Sequence, residues 1–305
     1  MSAKIVSAEF DWTSSSVMIT GATGFLGSHL LDEIVARGAT VIAVSRRRIE
    51  SSLPRTTWVQ ADLSRREEVD RLLRDYRPDT LFHLSSLVDG RQDRSLVHPT
   101  IQDELLAAVN VMVAASDVGV RRLVLPGSLE EPDPGAIPAS PYAAAKAAST
   151  QYARMFNQLF GLSVVHARIF MTYGPGQPDW KLIPSTIRKL LAGQEPTISS
   201  PQRAVDWIFV SDVVEGLLRV ASMDGIEGRT IDIGSGNLVS IKELVLLLVE
   251  LCGASVAPTF ASESDRRFER VVKANADDAA TVLNWRPQVS LREGLEATVR
   301  HLQHR

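Results

Sequence analysis

Hydrophobic and polar residues follow one another along this chain in a pattern that predicts alternating strands and helices. Short apolar, β-branched runs predict strands at Val17–Thr20, Thr40–Ser45, Thr57–Gln60, Thr80–Leu84, Arg122–Leu125 and Ser163–Arg168. Apolar residues with helical spacing between these runs predict helices at Phe25–Arg37, Arg66–Tyr76, Ile101–Val118 and Pro141–Phe160. Repeated strand–helix units build a parallel sheet with helices on both faces. The pattern therefore predicts a Rossmann-type doubly wound α/β fold.

After Arg168 the alternation loosens, which indicates a second, smaller unit. Turn residues fill Tyr173–Pro178, and the later elements predicted are helices at Lys181–Ala192, Asp212–Ser222 (capped by Ser211) and Ile241–Cys252 (capped by Ser240), with strands at Val205–Val210 and Thr230–Ile233. We predict a Rossmann domain of residues 1–170, to which residues 205–235 return. A smaller C-terminal α/β domain then comprises residues 171–204 and 236–305.

Composition narrows the class of protein. The 305 residues are 45% hydrophobic and 23% charged, so a sizeable core is expected. A net charge of −3 without a long basic block argues against a nucleic-acid partner. Neither a signal peptide nor a membrane-spanning run is evident, and Cys252 is the single cysteine, so we expect a cytoplasmic protein without disulfides. His301 and His304 lack a third ligand nearby, and no metal site is expected.

Three glycines mark the junction between the first strand and the first helix. Gly21 would make the turn, Gly24 would let a pyrophosphate approach the backbone, and Gly27 would let the helix pack closely on the strand. The free N–H groups and the dipole of the following helix would face the phosphates. Because this loop opens the alternating pattern, it predicts dinucleotide binding at the carboxyl edge of the sheet.

A second motif carries acid–base chemistry. Ser140 and Pro141 are typical of a helix start, so Tyr142 and Lys146 lie on one helix face, where the ammonium would lower the pKa of the phenol. Ser128 follows the strand at Arg122–Leu125 and would lie at the same sheet edge. Each residue alone has an ordinary explanation, an exposed Tyr–Lys pair or a turn serine. Together they favour a catalytic set with Tyr142 as the general acid or base.

The motifs together resemble the extended short-chain dehydrogenase/reductase superfamily, in its nucleotide-sugar epimerase, dehydratase and ketoreductase branch. The segments that carry the resemblance are Thr20–Gly27, Asp62-Leu63, Phe82–Ser86, Ser128 with Tyr142 and Lys146, Arg168–Gln177, Trp285–Pro287 and Gly294-Leu295. The resemblance implies hydride transfer at a sugar carbon. Tyr142 would exchange a proton with the sugar oxygen, Lys146 would hydrogen-bond the nicotinamide ribose, and Ser128 would orient the reacting group.

The resemblance also implies two sets of binding residues. The cofactor set is Gly21, Thr23, Gly24, Phe25, Leu26, Ser45, Arg46, Arg47, Asp62, Leu63, Leu84, Ser85, Ser86, Tyr142 and Lys146. The substrate set, for a nucleotide-diphosphate sugar, is Glu130, Arg168, Met171, Lys181, Arg203 and Arg267. The matching helices in the family form a dimer interface, so Ile101–Val118 and Pro141–Phe160 imply a homodimer.

Three departures from the family pattern bear on the reaction. Ser45-Arg46-Arg47 lacks the acidic residue of NAD-preferring members and suits a 2′-phosphate, which favours NADP(H) over NAD(H), unless the arginines are only solvated. Leu129 stands where the 4,6-dehydratases carry an acid, so dehydration is disfavoured. Met171 replaces an Asn that the family uses near the substrate phosphates.

These observations favour an NADPH-dependent reductase of a nucleotide-linked 4-keto-6-deoxyhexose. The alternative is an NAD-dependent nucleotide-sugar 4-epimerase, because Ser128, Tyr142 and Lys146 serve either reaction. A 4,6-dehydratase is less favoured, as is a non-catalytic NAD(P)-binding scaffold, which would not need the acid Tyr142.

Overall fold

A computed structural model of the chain describes residues 10–261, 268 and 270–304. The strands are β1 Ser16–Thr20, β2 Thr40–Ser45, β3 Thr56–Gln60, β4 Thr80–His83, β5 Arg122–Ser128, β6 Val164–Ile169, β7 Met171–Tyr173, β8 Thr197–Ile198, β9 Ala204–Phe209, β10 Thr230–Ile233, β11 Leu238–Ser240 and β12 Thr259–Phe260. The helices are α1 Phe25–Ala36, α2 Arg66–Tyr76, α3 Val97–Thr100, α4 Ala107–Val118, α5 Pro141–Phe160, α6 Leu182–Leu191, α7 Val210–Ser222, α8 Ile241–Cys252, α9 Ala276–Leu283 and α10 Leu291–Gln303.

The central sheet has seven strands in the order β3-β2-β1-β4-β5-β6-β10, and every neighbouring pair is parallel. The order reverses between β1 and β4, because the chain winds outward from β1 in one direction and then from β4 in the other. In doubly wound sheets the crevice at such a reversal is the ligand site. The predicted fold class is confirmed.

Alternation along β1 divides the core into two layers. Val17 and Ile19 face one side of the sheet and pack with Ile34 of α1 and Leu217 of α7. Met18, between them, faces the other side and packs in a layer formed by α2, α4 and α5. Successive strand residues point to opposite faces, so a strand that is apolar throughout needs a helical layer on both sides.

A third apolar cluster lies in the C-terminal part of the chain. β7 and β9 pair in parallel and β9 and β11 pair antiparallel, while β8 and β12 form a separate two-stranded sheet. Their apolar side chains pack with α6, α8 and α10, including Ile187, Leu244 and Leu295. β10, by contrast, joins the central sheet at its edge beside β6.

Several local predictions differ from the structure. The strand predicted at Arg122–Leu125 continues to Ser128, which is the last residue of β5 rather than a residue beyond it. α7 begins at Val210 with Phe209 as its N-cap and no side-chain cap, so Ser211 does not cap this helix. The helix predicted at Ile101–Val118 starts earlier, after a 3₁₀ turn at Arg94–Leu96, and is interrupted by a π-helical turn at Ile101–Leu106. Ser240 caps α8 as predicted, in a capping box with Glu243. Among the described residues, no helix has the length and apolar character needed to cross a bilayer.

Candidate active site

The turn between β1 and α1 is folded so tightly that Gly21 and Gly27 have no room for a side chain. Gly21 has a φ of +68°, and a Cβ there would lie 2.7 Å from the Leu84 carbonyl carbon. A Cβ at Gly27 would overlap the carbonyl oxygen of Gly21. Gly24 is the N-cap of α1, and no side chain caps this helix. The first N–H groups of α1 are therefore available to an anion, and the loop fits the phosphates of a dinucleotide.

A cavity of ≈ 420 Å³ lies beside this loop at the reversal point of the sheet. Residues predicted to bind the cofactor that line it are Gly21, Thr23, Gly24, Ser45, Arg46, Arg47, Asp62, Leu63, Leu84, Ser85 and Ser86. Further lining residues, which the sequence did not indicate, are Val44, Ala61, Ser64, Asp103 and Ala107. Phe25 and Leu26 form the first turn of α1 and are outside this lining set.

One ion pair links two walls of this cavity. Nη1 of Arg46, just past β2, lies 2.9 Å from Oδ2 of Asp103 in the π-helical turn. Asp62 is also close enough for the Arg46 charge to contribute to lowering its pKa, behind the larger effect of hydrogen bonds from Ser64. Arg46 therefore faces carboxylates, which the sequence alone did not indicate.

Tyr142 and Ser128 meet where α5 begins beside the end of β5. Ser140 caps α5 by accepting a hydrogen bond from the Ala143 N–H at 3.0 Å, which places Tyr142 in the first turn. The Ser128 hydroxyl accepts from the Glu130 N–H at 3.1 Å, so its own proton remains to donate, and this hydroxyl acts to lower the pKa of Tyr142. Burial raises the pKa of Tyr142 to about 12, more than Lys146 and Ser128 lower it. The expected lowering by Lys146 is present but is outweighed.

Lys146 lies one turn further along α5 and is almost fully buried. Its Nζ is 2.6 Å from Oε1 of Glu104 and donates to the Pro126 carbonyl at 2.9 Å. Glu104 comes from the π-helical turn, and its second oxygen accepts from the Ser86 hydroxyl at the cofactor cavity. Burial would lower the pKa of Lys146, but the Glu104 carboxylate reverses this, and the net shift is upward. Glu104 was not predicted, although it directly precedes the apolar run Leu105–Val109, where a buried acid needs a partner.

A buried cluster of polar side chains holds the backbone of Ser128 in place. Oε1 of Glu131 accepts from the Ser128 N–H at 2.8 Å, and Oε2 accepts from the Thr150 hydroxyl at 2.7 Å. Nε2 of His166 lies 2.7 Å from the same hydroxyl. Burial lowers the pKa of His166 to about 4, so its ring is neutral near pH 7. These contacts fix the backbone at the end of β5, and therefore the Ser128 side chain.

The predicted substrate residues do not all converge. Glu130 and Arg203 line a small cavity of ≈ 30 Å³ together with Arg270, next to the catalytic set. Arg168 instead forms a bidentate ion pair with Asp232 of β10. Its Nε donates to Oδ1 at 2.7 Å and its Nη2 to Oδ2 at 2.9 Å, which links β6 to β10 at the edge of the sheet.

The other three predicted substrate residues lie apart from this cavity lining or beyond description. Met171 begins β7 and packs against the C-terminal apolar cluster. Lys181 lies 4.4 Å from the Trp180 ring centre, just before α6. Arg267 falls outside the described residues.

Comparison with known proteins places this geometry in context. Residues 17–234 match the NAD dependent epimerase/dehydratase family. The chain is 29% identical to a UDP-glucose 4-epimerase of Mycolicibacterium smegmatis (94% of this chain, 98% of that protein) and 30% identical to a dTDP-glucose 4,6-dehydratase of Actinoplanes (93% and 96%). Among solved structures, it resembles MoeE5 in complex with UDP-glucuronic acid and NAD, with 30% identity, a TM-score of 0.85 and coverage of 95% and 99%.

Proposed function

Because the chain belongs to the NAD dependent epimerase/dehydratase family, we propose that it is an NAD-dependent nucleotide-sugar 4-epimerase acting on a UDP-sugar. The observation that carries the proposal is the full-length similarity to a UDP-glucose 4-epimerase and to MoeE5, whose structures hold NAD with UDP-glucuronic acid or UDP-glucose. These relatives support the alternative from the sequence analysis better than the NADPH-dependent reductase.

The side chains of the catalytic set are suited to a reaction that removes a proton and later returns it. Oη of Tyr142 would take the proton of a sugar hydroxyl, and the Ser128 hydroxyl would orient the same oxygen by hydrogen bonding. Lys146 would favour the phenolate through its charge. A bound nicotinamide ring would supply the acceptor and donor of the hydride. Tyr142 would end the cycle as it began, as epimerisation requires.

Leu129 supports epimerisation over dehydration. This side chain follows Ser128 directly and packs against the apolar core layer that contains α1 and α7. A hydrocarbon side chain cannot donate a proton to a leaving hydroxyl, so the position offers no acid for loss of water. Glu130 remains as an acidic group beside the site and, with Arg203, is proposed to contact the sugar.

The cofactor proposed is NAD rather than NADP. Arg46 and Arg47 follow β2, and on the sequence alone these two residues favour NADP(H). The pairing of Arg46 with Asp103 at 2.9 Å reduces the positive charge that a 2′-phosphate would require. The two MoeE5 structures, at 30% identity, contain NAD.

A homodimer is also proposed, through α5 and the π-helical turn that precedes α4. α5 exposes Tyr152 and Leu159, which are seven residues apart and lie on one helix face. Ile101 and Leu106 expose apolar surface on the neighbouring π-helical turn. Sedimentation at micromolar concentration should give the mass of two chains, and a single-chain mass would contradict this proposal.

The direct test is conversion of UDP-glucose by the purified chain with added NAD⁺. We expect the C4 epimer to appear with no net change in absorbance at 340 nm, because the hydride is returned within the same cycle. Consumption of NADPH with a nucleotide-linked 4-keto-6-deoxyhexose would support the reductase instead, and net formation of NADH from UDP-glucose would contradict the epimerase because the hydride is not returned. A released 4-keto-6-deoxy product would support the dehydratase.

A further inference from the structure

The end of β2 lacks the acidic side chain that commonly reads the ribose of an unphosphorylated dinucleotide. In doubly wound folds this residue lies about 20 positions after the glycine loop and accepts from the ribose 2′-hydroxyl, whereas an Arg there accommodates a 2′-phosphate. Here the corresponding segment is Ser45-Arg46-Arg47. Taken alone, this segment predicts a site for a 2′-phosphate.

A carboxylate from another part of the chain lies beside the end of β2. Asp103 follows Arg46 by 57 positions and reaches it from the π-helical turn, with 2.9 Å between Nη1 and Oδ2. Both residues line the cavity of ≈ 420 Å³, together with Arg47 and Asp62. The two arginines of the lining are thus balanced by two carboxylates.

We infer that Asp103 makes this cavity select a dinucleotide without a 2′-phosphate. The inference rests on the proposed NAD-dependent function and names the residue behind that preference. A 2′-phosphate near Arg46 would have to compete with Asp103 for the guanidinium and would lie close to a like charge. A ribose 2′-hydroxyl carries no charge and can donate to a carboxylate. The same Arg46–Asp103 pair therefore admits NAD⁺ and penalises NADP⁺.

The π-helical turn explains how Asp103 reaches this position. Adjacent residues in a helix point in different directions, and here Asp103 points to Arg46 while Glu104 points to Lys146. π-helical turns are frequent at functional sites. This one places consecutive carboxylates on two different cationic groups of the site.

The experiment is a measurement of dissociation constants for NAD⁺ and for NADP⁺ on the full chain by titration calorimetry. Asp103→Asn and Asp103→Ser remove the negative charge with side chains of different size. Asp103→Glu keeps the charge. The matched control is Asp117→Asn, because Asp117 is an exposed acid of α4 that pairs with Arg66 rather than with Arg46. Thermal melting of each variant verifies folding.

Removal of the Asp103 charge should tighten NADP⁺ binding relative to NAD⁺ by about fivefold, the effect of a partly exposed charge. Added salt should diminish the change, and Asp103→Glu and Asp117→Asn should retain the wild-type preference. The assignment to Asp103 would be overturned if folded Asp103→Asn and Asp103→Ser kept the wild-type ratio of the dissociation constants for NADP⁺ and NAD⁺. An equal change of that ratio in Asp117→Asn would overturn it too. In either case, binding of NAD⁺ would still agree with the proposed function. Failure of the wild type to bind NAD⁺ would overturn both.

Discussion

The ammonium of Lys146 lies 2.6 Å from the carboxylate of Glu104, and neither side chain exposes more than 4% of its surface. The pair connects the catalytic helix α5 to Ser86 at the wall of the cofactor cavity. The pair also limits the effect of Lys146 on Tyr142, because Lys146 lowers the Tyr142 pKa and the Glu104 charge raises it. Lys146, which is proposed to act in catalysis, is therefore one half of a buried ion pair.

Replacing Glu104 with Gln should destabilise the fold. The change leaves the Lys146 ammonium buried without its counter-charge, which costs about 3 kcal/mol in the free energy of unfolding. Glu33→Gln is the control, since Glu33 pairs with Arg37 at the surface and its loss should cost less than about 1 kcal/mol. Urea denaturation at pH 7 measures both.

The difference in free energy of unfolding between wild type and Glu104→Gln should depend on pH, because the pKa of Lys146 is shifted by folding. Its pKa is raised in the folded chain, so the stabilisation is complete below the unfolded value of 10.5 and is lost as the pH rises through the folded value. The gap between wild type and Glu104→Gln should therefore narrow at alkaline pH. A gap that widens there would contradict the ion-pair account.

Buried neutral histidine should make the fold sensitive to mild acid. Burial lowers the pKa of His166 from 6.5 to about 4. Between these values the unfolded chain binds a proton that the folded chain does not, so stability falls as the pH drops, by up to about 1.4 kcal/mol per unit for each such group. His83 adds a similar contribution, with its pKa lowered to about 3 by burial and then by Lys146.

The measurement is a series of denaturation curves from pH 7 to pH 4. His166→Gln should reduce the slope without abolishing it, because His83 remains. His98→Gln, at an exposed position, should leave the slope unchanged. A slope in His166→Gln that equals the wild-type slope would show that His166 is not the residue titrating.

Adding a methyl group at Gly127 should disturb the position of Ser128. A Cβ there would overlap the His166 ring and lie 2.5 Å from Oε1 of Glu131, the atom that holds the Ser128 N–H. Gly127→Ala should cost about 1–3 kcal/mol in stability and lower epimerase activity. Gly119→Ala, at a left-handed glycine with open space around it, should cost about 1 kcal/mol and preserve activity. Equal activities in the two variants would contradict this role.

Removing the hydroxyl of Tyr142 should abolish turnover without emptying the cofactor site. Tyr142→Phe should reduce UDP-sugar epimerisation by about 10²–10⁴ while leaving the affinity for NAD⁺ nearly unchanged. Tyr152→Phe, at an exposed tyrosine of the same helix, is the matched control. Activity in Tyr142→Phe near the wild-type level would remove Tyr142 from the acid–base role.

Elements that depend on local chemistry could be predicted from the order of residues in the chain. The apolar runs gave the bounds of β2, α2 and α5 as the structure has them, and the order of elements gave the doubly wound sheet. The glycine loop and the helix cap at Ser140 were also readable, because turn conformation and capping depend on residues close in the chain. Most residues predicted to bind the cofactor consequently line the cavity.

The pairing of charged side chains, by contrast, depends on how distant segments pack in the folded chain. Arg46 and Asp103 are 57 positions apart, and Lys146 and Glu104 are 42 apart, yet both carboxylates come from a single π-helical turn that no sequence periodicity indicated. Ion pairs between distant segments depend on how strands and helices stack, and burial then sets the cost of leaving a charge unpaired. For that reason the sequence favoured a 2′-phosphate at Arg46, while the folded chain sets a carboxylate against that arginine.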